Sequence, residues 1–195
     1  MMVEKNIKRS EILDSARILF KDNGFHKTKM DDIAIGANVG KGTLYEYFKS
    51  KQEIFDEVCV DYVKSVHEHV KEISTMNVPF KEKLILLFRG KETTFEEDFD
   101  KNPIDYIMSY KNIITEKFVI TLFGHISDMN RIIIKIIEQG KEEGVVKKEI
   151  PSEVIACSIV GTMGEYTKFK KYKKGYVLTE DDIIFELLYN GFGEK

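Results

Sequence analysis

The chain has 195 residues, 43% of them hydrophobic and 32% charged, with a formal net charge of −3. That is enough apolar material for one domain or two small ones, yet no stretch approaches the ~20 consecutive apolar residues of a membrane span. Two distant cysteines, Cys59 and Cys157, exclude a disulfide framework and a zinc motif. Met1 to Arg9 holds no apolar run of a signal peptide, so the expected setting is the cytoplasm, with no membrane contact. The charge is uneven: residues 1–52 hold 10 Lys+Arg against 7 Asp+Glu, whereas the remainder holds 20 against 26. A basic head on an acidic body suits a protein that offers only its head to a polyanion.

Taken in order, the periodicity predicts an almost wholly helical chain. Ile12, Leu13, Ala16, Leu19 and Phe20 share one face of a helix over about Lys5–Asp22, which Gly24 closes. Thr28 reads as the N-cap of a short second helix, with Asp31 completing a capping box, and Ile33, Ala34 and Ala37 form its buried side. Gly36 inside that helix costs up to ~1 kcal/mol relative to Ala. Asn38 tolerates the left-handed backbone of a tight turn, and Gly40 then caps a third helix over Lys41–Phe48, with Leu44 and Phe48 pointing inward.

Two short helices joined by such a turn form a helix-turn-helix unit. The second begins Lys41-Gly42-Thr43, a cation, a residue without a side chain and a small hydroxyl, so nothing bulky keeps its backbone from a base edge. Tyr45, Tyr47 and Lys51 supply donors on the outer side, where phosphates lie.

A long fourth helix is expected over about Lys51–Ser74 and another over 80–90. The acidic, aromatic stretch Lys91–Asn102 reads as loop, and Pro103 opens the next helix. The β-branched run Phe118–Phe123 is assigned to helix because no partner strand exists, and Ser127–Glu143 is strongly helical. Pro151 sits at a first helical position, opening a helix to about Phe169. The last helix covers about Thr179–Asn190, capped by Thr179. Of the four histidines, His67 and His69 point to different sides of one helix, while His26 and His125 stand alone, so no metal site is expected. The interleaved Lys168–Lys174 segment reads as a solvated loop. No nucleotide loop, nucleophile elbow or close acid/base pair marks an enzyme, and no cofactor is implied.

Residues 12–58 closely resemble the DNA-binding domain of the tetracycline-repressor (TetR) family of bacterial transcriptional regulators. The matching pieces are Ile12-Leu13, Ala16, Leu19-Phe20, Gly24-Phe25, Thr28, Asp32-Ile33-Ala34, Ala37, Val39, Lys41 to Tyr45, Tyr47-Phe48, Ser50-Lys51 and Ile54-Phe55. The family usually has Gly at Asn38 and Ser or Thr at Gly40; the second departure forfeits a side-chain cap.

The resemblance implies an all-α protein, with a three-helix DNA-binding domain over 1–51 and a helical effector-binding and dimerisation domain over 52–195. It implies a homodimeric repressor on a double-stranded operator, released by a small hydrophobic effector; a nucleoid or cell-division factor of the same fold without an effector is the alternative. Thr28, Lys41, Gly42, Thr43, Tyr45, Tyr47 and Lys51 are the expected DNA contacts. Phe99, Tyr110, Glu165 and Tyr166 are the expected effector contacts. Ile133, Ile137, Ala156, Val160 and Gly164 are the expected dimer contacts.

Overall fold

The structure is a computed structural model and describes residues 2–89, 114–172 and 181–193. Among these the chain forms eight helices: α1 (Met2–Lys27), α2 (Met30–Gly36), α3 (Lys41–Tyr47), α4 (Lys51–Thr75), α5 (Phe80–Arg89), α6 (Glu116–Glu142), α7 (Ser152–Tyr172) and α8 (Asp181–Phe192). The expected loop at 91–102, the helix opened by Pro103 and the Thr179 cap lie outside the described residues.

The β-branched run at 118–123 and the helix expected over 127–143 are one continuous helix, α6. Pro151 stands just before α7 and its carbonyl accepts the Val154 N–H at 3.0 Å, so Ser152 takes the first helical position. Gly24, at φ 75° and ψ 159°, breaks the helical path inside the range of α1. That backbone is open to Gly and strained for other residues.

The chain divides into two compact units. The described parts of the first are residues 2–63 and 114–122; those of the second are 64–89, 123–172 and 181–193. Unit 1 buries Ile12, Ala16 and Phe20 of α1 against Ile33 and Ala34 of α2, Leu44 of α3, and Ile54, Phe55 and Val58 of α4. Phe20, Phe25 and Phe55 stack as a triad with centroids 5.0–5.6 Å apart. Each such ring contributes about 2 kcal/mol or more by burial.

Unit 2 has its own core: Val70 and Ile73, Phe80, Leu84 and Leu87, Ile133, Ile136 and Ile137, Ile155, Ala156 and Ile159, and Phe192. Gly140 lets Phe80 lie against α6, since a Cβ there would fall within 3.0 Å of the Phe80 ring and Val146. The buried Lys83 ammonium donates to Ser74 O and Gln139 Oε1, both at 2.8 Å, while the Glu143 carboxylate accepts the Phe80 N–H. These bonds satisfy a carbonyl at the end of α4 and an N–H at the start of α5.

Candidate nucleic-acid interface

The helix-turn-helix follows from a few local choices. Asp32 accepts the Lys29 N–H at 3.1 Å, so Lys29 holds the N-cap position of α2. The expected cap at Thr28 with Asp31 is therefore corrected by one residue. Thr28 is 1% exposed, and its hydroxyl faces Gly24 O at 2.9 Å and Leu19 O at 3.1 Å, carbonyls at the break in α1. Its side chain belongs to the interior of unit 1, which corrects its assignment as a DNA contact. Backbone closure before a buried turn outcompetes the capping role that its residue type suggested.

At the other end of α2, Val39 N–H reaches Ala34 O (2.9 Å) and Asn38 N–H reaches Ile35 O (3.0 Å), with Asn38 at φ 51°. This pair of bonds around a left-handed residue is a Schellman closure, and it makes the turn expected from Asn38. Gly40 stands at the N-cap of α3 without a side-chain bond. Gly36 is explained by contact: Ser15 Oγ donates to Ile33 O at 3.1 Å, and a Cβ on Gly36 would fall inside 3.0 Å of that oxygen. The glycine lets α1 and α2 touch.

The start of α3 is open. Lys41 and Gly42 are exposed, Thr43 is half-buried, and a Cβ on Gly42 would meet nothing within 4 Å. Tyr45 is 39% exposed and Tyr47 half-buried. The Lys41 ammonium lies 2.8 and 3.0 Å from the two Asp31 carboxylate oxygens, and this partner raises its pKa. At the far end of α3, the Arg9 guanidinium binds both Glu57 carboxylate oxygens, lies 4.4 Å from the Phe48 ring centroid and reaches Tyr47 O. Arg9 thus ties α1, the end of α3 and α4 together, a role that the sequence reading missed.

Lys51 is differently placed from its expectation. Its half-buried ammonium donates to Phe25 O (2.5 Å), Thr28 O (2.7 Å) and His26 O (3.3 Å), and lies 4.4 Å from the Phe25 ring centroid. Desolvation lowers its pKa. It caps the carbonyls at the end of α1, so any phosphate it meets shares it with them.

The other expected sites fare unevenly. Ile133, Ile137 and Ala156 are buried in the core of unit 2, which corrects their assignment to a dimer face. The broad apolar face of α6 turns inward, and sequence periodicity does not say which neighbour covers a face. Val160 is 40% exposed, and a Cβ on Gly164 would meet nothing within 4 Å. Around Val160, α7 also exposes Val154, Cys157 and Gly161, while α8 exposes Ile183 and Leu187. Tyr166 is buried and its neighbour Glu165 exposed. Phe99 and Tyr110 lie outside the described residues.

The structure also pairs His67 of α4 with His125 of α6, Nδ1 to Nδ1 at 3.0 Å, where the sequence had left His125 alone. Burial and the neighbouring His67 and Lys64 lower the His125 pKa. Among the described residues no group of three or more His, Cys, Asp or Glu could hold a metal ion, and no helix is long and apolar enough to cross a membrane.

The chain has clear relatives. The family described as bacterial regulatory proteins, tetR family, matches residues 12–58. The uncharacterised HTH-type transcriptional regulator YhgD of Bacillus subtilis (strain 168) is 30% identical over 144 residues, covering 71% of this chain and 69% of that protein. The fatty acid metabolism regulator protein of the same organism is 26% identical over 202 residues and covers 100% of both chains. The crystal structure of the regulator FadR from Bacillus subtilis in complex with stearoyl-CoA superposes with a TM-score of 0.73 at 22% identity, covering 94% of this chain and 98% of that one.

Proposed function

The chain belongs to the TetR family of bacterial transcriptional regulators, and from that premise we propose that it is a cytoplasmic, homodimeric repressor released from its operator by a fatty acyl effector. DNA binding is the activity of the family's helix-turn-helix, and the observation that carries it here is the open start of α3. Lys41, Gly42 and Thr43 present a cation, bare backbone and a hydroxyl on a helix whose other side is locked by Leu44 and Phe48. Such a helix fits the major groove, with Tyr45 and Tyr47 toward the flanking phosphates.

A second copy is called for by the exposed apolar residues of α7 and α8. Val154, Cys157 and Gly161 recur at three- and four-residue steps on α7, and Ile183 and Leu187 four apart on α8. Leu187 alone is 71% exposed. A stripe of that kind marks an interaction surface, and a two-fold dimer would set two heads on two half-sites about one DNA turn apart.

The effector class is supported by the end-to-end likeness to a fatty acid metabolism regulator. An acyl chain that binds the DNA-incompetent arrangement more tightly than the other would shift the equilibrium away from the operator. The deciding experiment is a mobility-shift titration on DNA from upstream of the protein's own gene, with long-chain acyl-CoA, short-chain acyl-CoA and free CoA added in turn. Release by the long-chain thioester alone is the expected result. A complex indifferent to all three refutes the effector class, and a repressor-like complex that no lipophile dissolves favours a DNA-binding factor without an effector.

A further inference from the structure

Asp31 reads as a capping residue in the sequence, yet the cap of α2 is closed by Asp32, which leaves the Asp31 carboxylate for another task. That carboxylate is exposed and holds the Lys41 ammonium through both of its oxygens, at 2.8 and 3.0 Å. The side chains keep 58% and 62% of their full exposure, respectively, so the pair stands in water on the open edge of the helix-turn-helix. Exposed pairs of this kind add little to folding.

From this geometry, and resting on the operator-binding role proposed above, we propose that Asp31 is a specificity-determining residue: with Lys41 it forms a two-headed reader of a G·C base pair in the major groove. A guanine edge offers the acceptors O6 and N7 to an ammonium, and its cytosine partner offers the N4 amino group to a carboxylate. A G·C pair therefore re-satisfies both ends of the ion pair at once. An A·T pair offers an acceptor and a donor as well, but sets the thymine methyl beside them.

The same pair suppresses binding to random sequence. Along a phosphate backbone Lys41 is attracted and Asp31 repelled, so the two together release about one counterion fewer than Lys41 would alone. Discrimination comes from a penalty on wrong sites as much as from a bonus on the right one. Arg9 and Glu57, at the other end of α3, hold the helix, and their charges are spent on each other, on Phe48 and on Tyr47 O.

The test uses the full chain. Wild type, Asp31→Ala and Asp31→Asn are each used to select binding sites from a random-sequence duplex pool, and affinities for the selected site and for random DNA are then titrated against salt. Circular dichroism melts check that the variants fold. The expected wild-type result is a fixed G·C pair at one position of each half-site. In both variants that position should relax, the ratio of specific to random binding should fall about tenfold, within the range of one lost base contact, and random DNA should bind more tightly with a salt slope steeper by about one unit. If the variants keep the same base at every position and tighten on both DNAs by one common factor, Asp31 is only a surface charge and the proposal is overturned. It is equally overturned if the variants match wild type in both titrations. If wild type itself enriches no sequence, the operator reading beneath the proposal falls with it, which separates that failure from the other two.

Discussion

Replacing Gly36 with Ala should bring no gain in stability, or a loss, in the natural background, and should stabilise the helix-turn-helix once Ser15 is also Ala. In a free helix the change gains about 1 kcal/mol. Here the new Cβ would sit inside 3.0 Å of Ser15 Oγ, whose hydrogen bond to Ile33 O spans 3.1 Å. If that hydroxyl turns away it forfeits about 1 kcal/mol of hydrogen bonding; if it stays, the crowding costs roughly 1–3 kcal/mol instead. Set against the helix gain, the net effect lies between about zero and a loss of about 2 kcal/mol. With Ser15→Ala the oxygen is gone, and the remaining neighbours, Ser15 Cβ at 3.5 Å and Leu19 Cδ1 at 3.9 Å, are in ordinary contact. The helix propensity is recovered, and Gly36→Ala gains up to about 1 kcal/mol. The two substitutions are thus coupled by about 1 kcal/mol or more, and the gain appears only when Ser15 is Ala. Hydrogen exchange at the α2 amides of the four proteins reads this locally, without requiring the two units to unfold together. If Gly36→Ala protects α2 equally in both backgrounds, the contact between α1 and α2 is not what keeps a glycine at 36.

Lys51→Ala should both soften unit 1 and weaken DNA binding. Loss of three carbonyl partners lowers stability by roughly 1–2 kcal/mol while the salt slope falls by about one unit; an unchanged thermal melt would mean that the carbonyl cradle contributes nothing. Leu187→Asp should convert dimer to monomer in sedimentation with the helix content kept, because an exposed position costs the fold no more than about 0.5 kcal/mol, and a variant that stays dimeric moves the interface off α8. The His67–His125 pair predicts acid sensitivity. The folded-state pKa of His125 is depressed below 6.5 by burial and by His67 and Lys64 on α4, against the pull of Asp128 on its own helix. The unfolded chain therefore takes up a proton first, and stability present above about pH 6.5 declines as the pH falls below it. Urea midpoints at pH 7.5 and 5.5 should differ less in His125→Gln than in wild type, and an equal difference in both would show that the depressed His125 does not set the acid sensitivity.

The helices that the sequence made plain are those whose signal is local. The 3.6-residue spacing of Ile54, Phe55 and Val58 sets α4 within one residue of its end, and Asn38 alone announces the turn by its tolerance for positive φ. The capping residue was missed because Thr28-x-x-Asp31 has the residue types of a capping box while Lys29, which holds the N-cap, has no acceptor to offer; only the bond from the Lys29 N–H to Asp32 marks the true start. Contacts that bridge distant segments leave no local trace. Arg9 and Glu57 are 48 residues apart, and His67 and His125 are 58 apart. Nothing near either partner forecasts the other. The inward face of α6 was assigned to a dimer contact for a related reason. Ile133 and Ile137 belong to an amphipathic stripe as regular as that of Val154, Cys157 and Gly161, and periodicity reports that a face is apolar without reporting whether the same chain covers it.

Taken together, the ion pairs of unit 1 change what its excess of positive charge means. Lys41 is matched by Asp31, Arg9 by Glu57, and Lys51 by three carbonyls of its own chain. These are three of the cations that a count of charge would assign to the phosphate backbone. Each can serve DNA only by sharing or exchanging a partner it already has, so the favourable counterion release on binding is partly offset by what is given up within the protein. On the proposed reading, a head built in this way would bind random sequence less tightly than its composition suggests. Its hold on DNA would depend on geometry, with both partners of an exchanged pair satisfied at the right base step and two heads engaged at once. That dependence would also make it releasable: an effector would need only to spoil the spacing of two weak half-site contacts to remove most of the affinity.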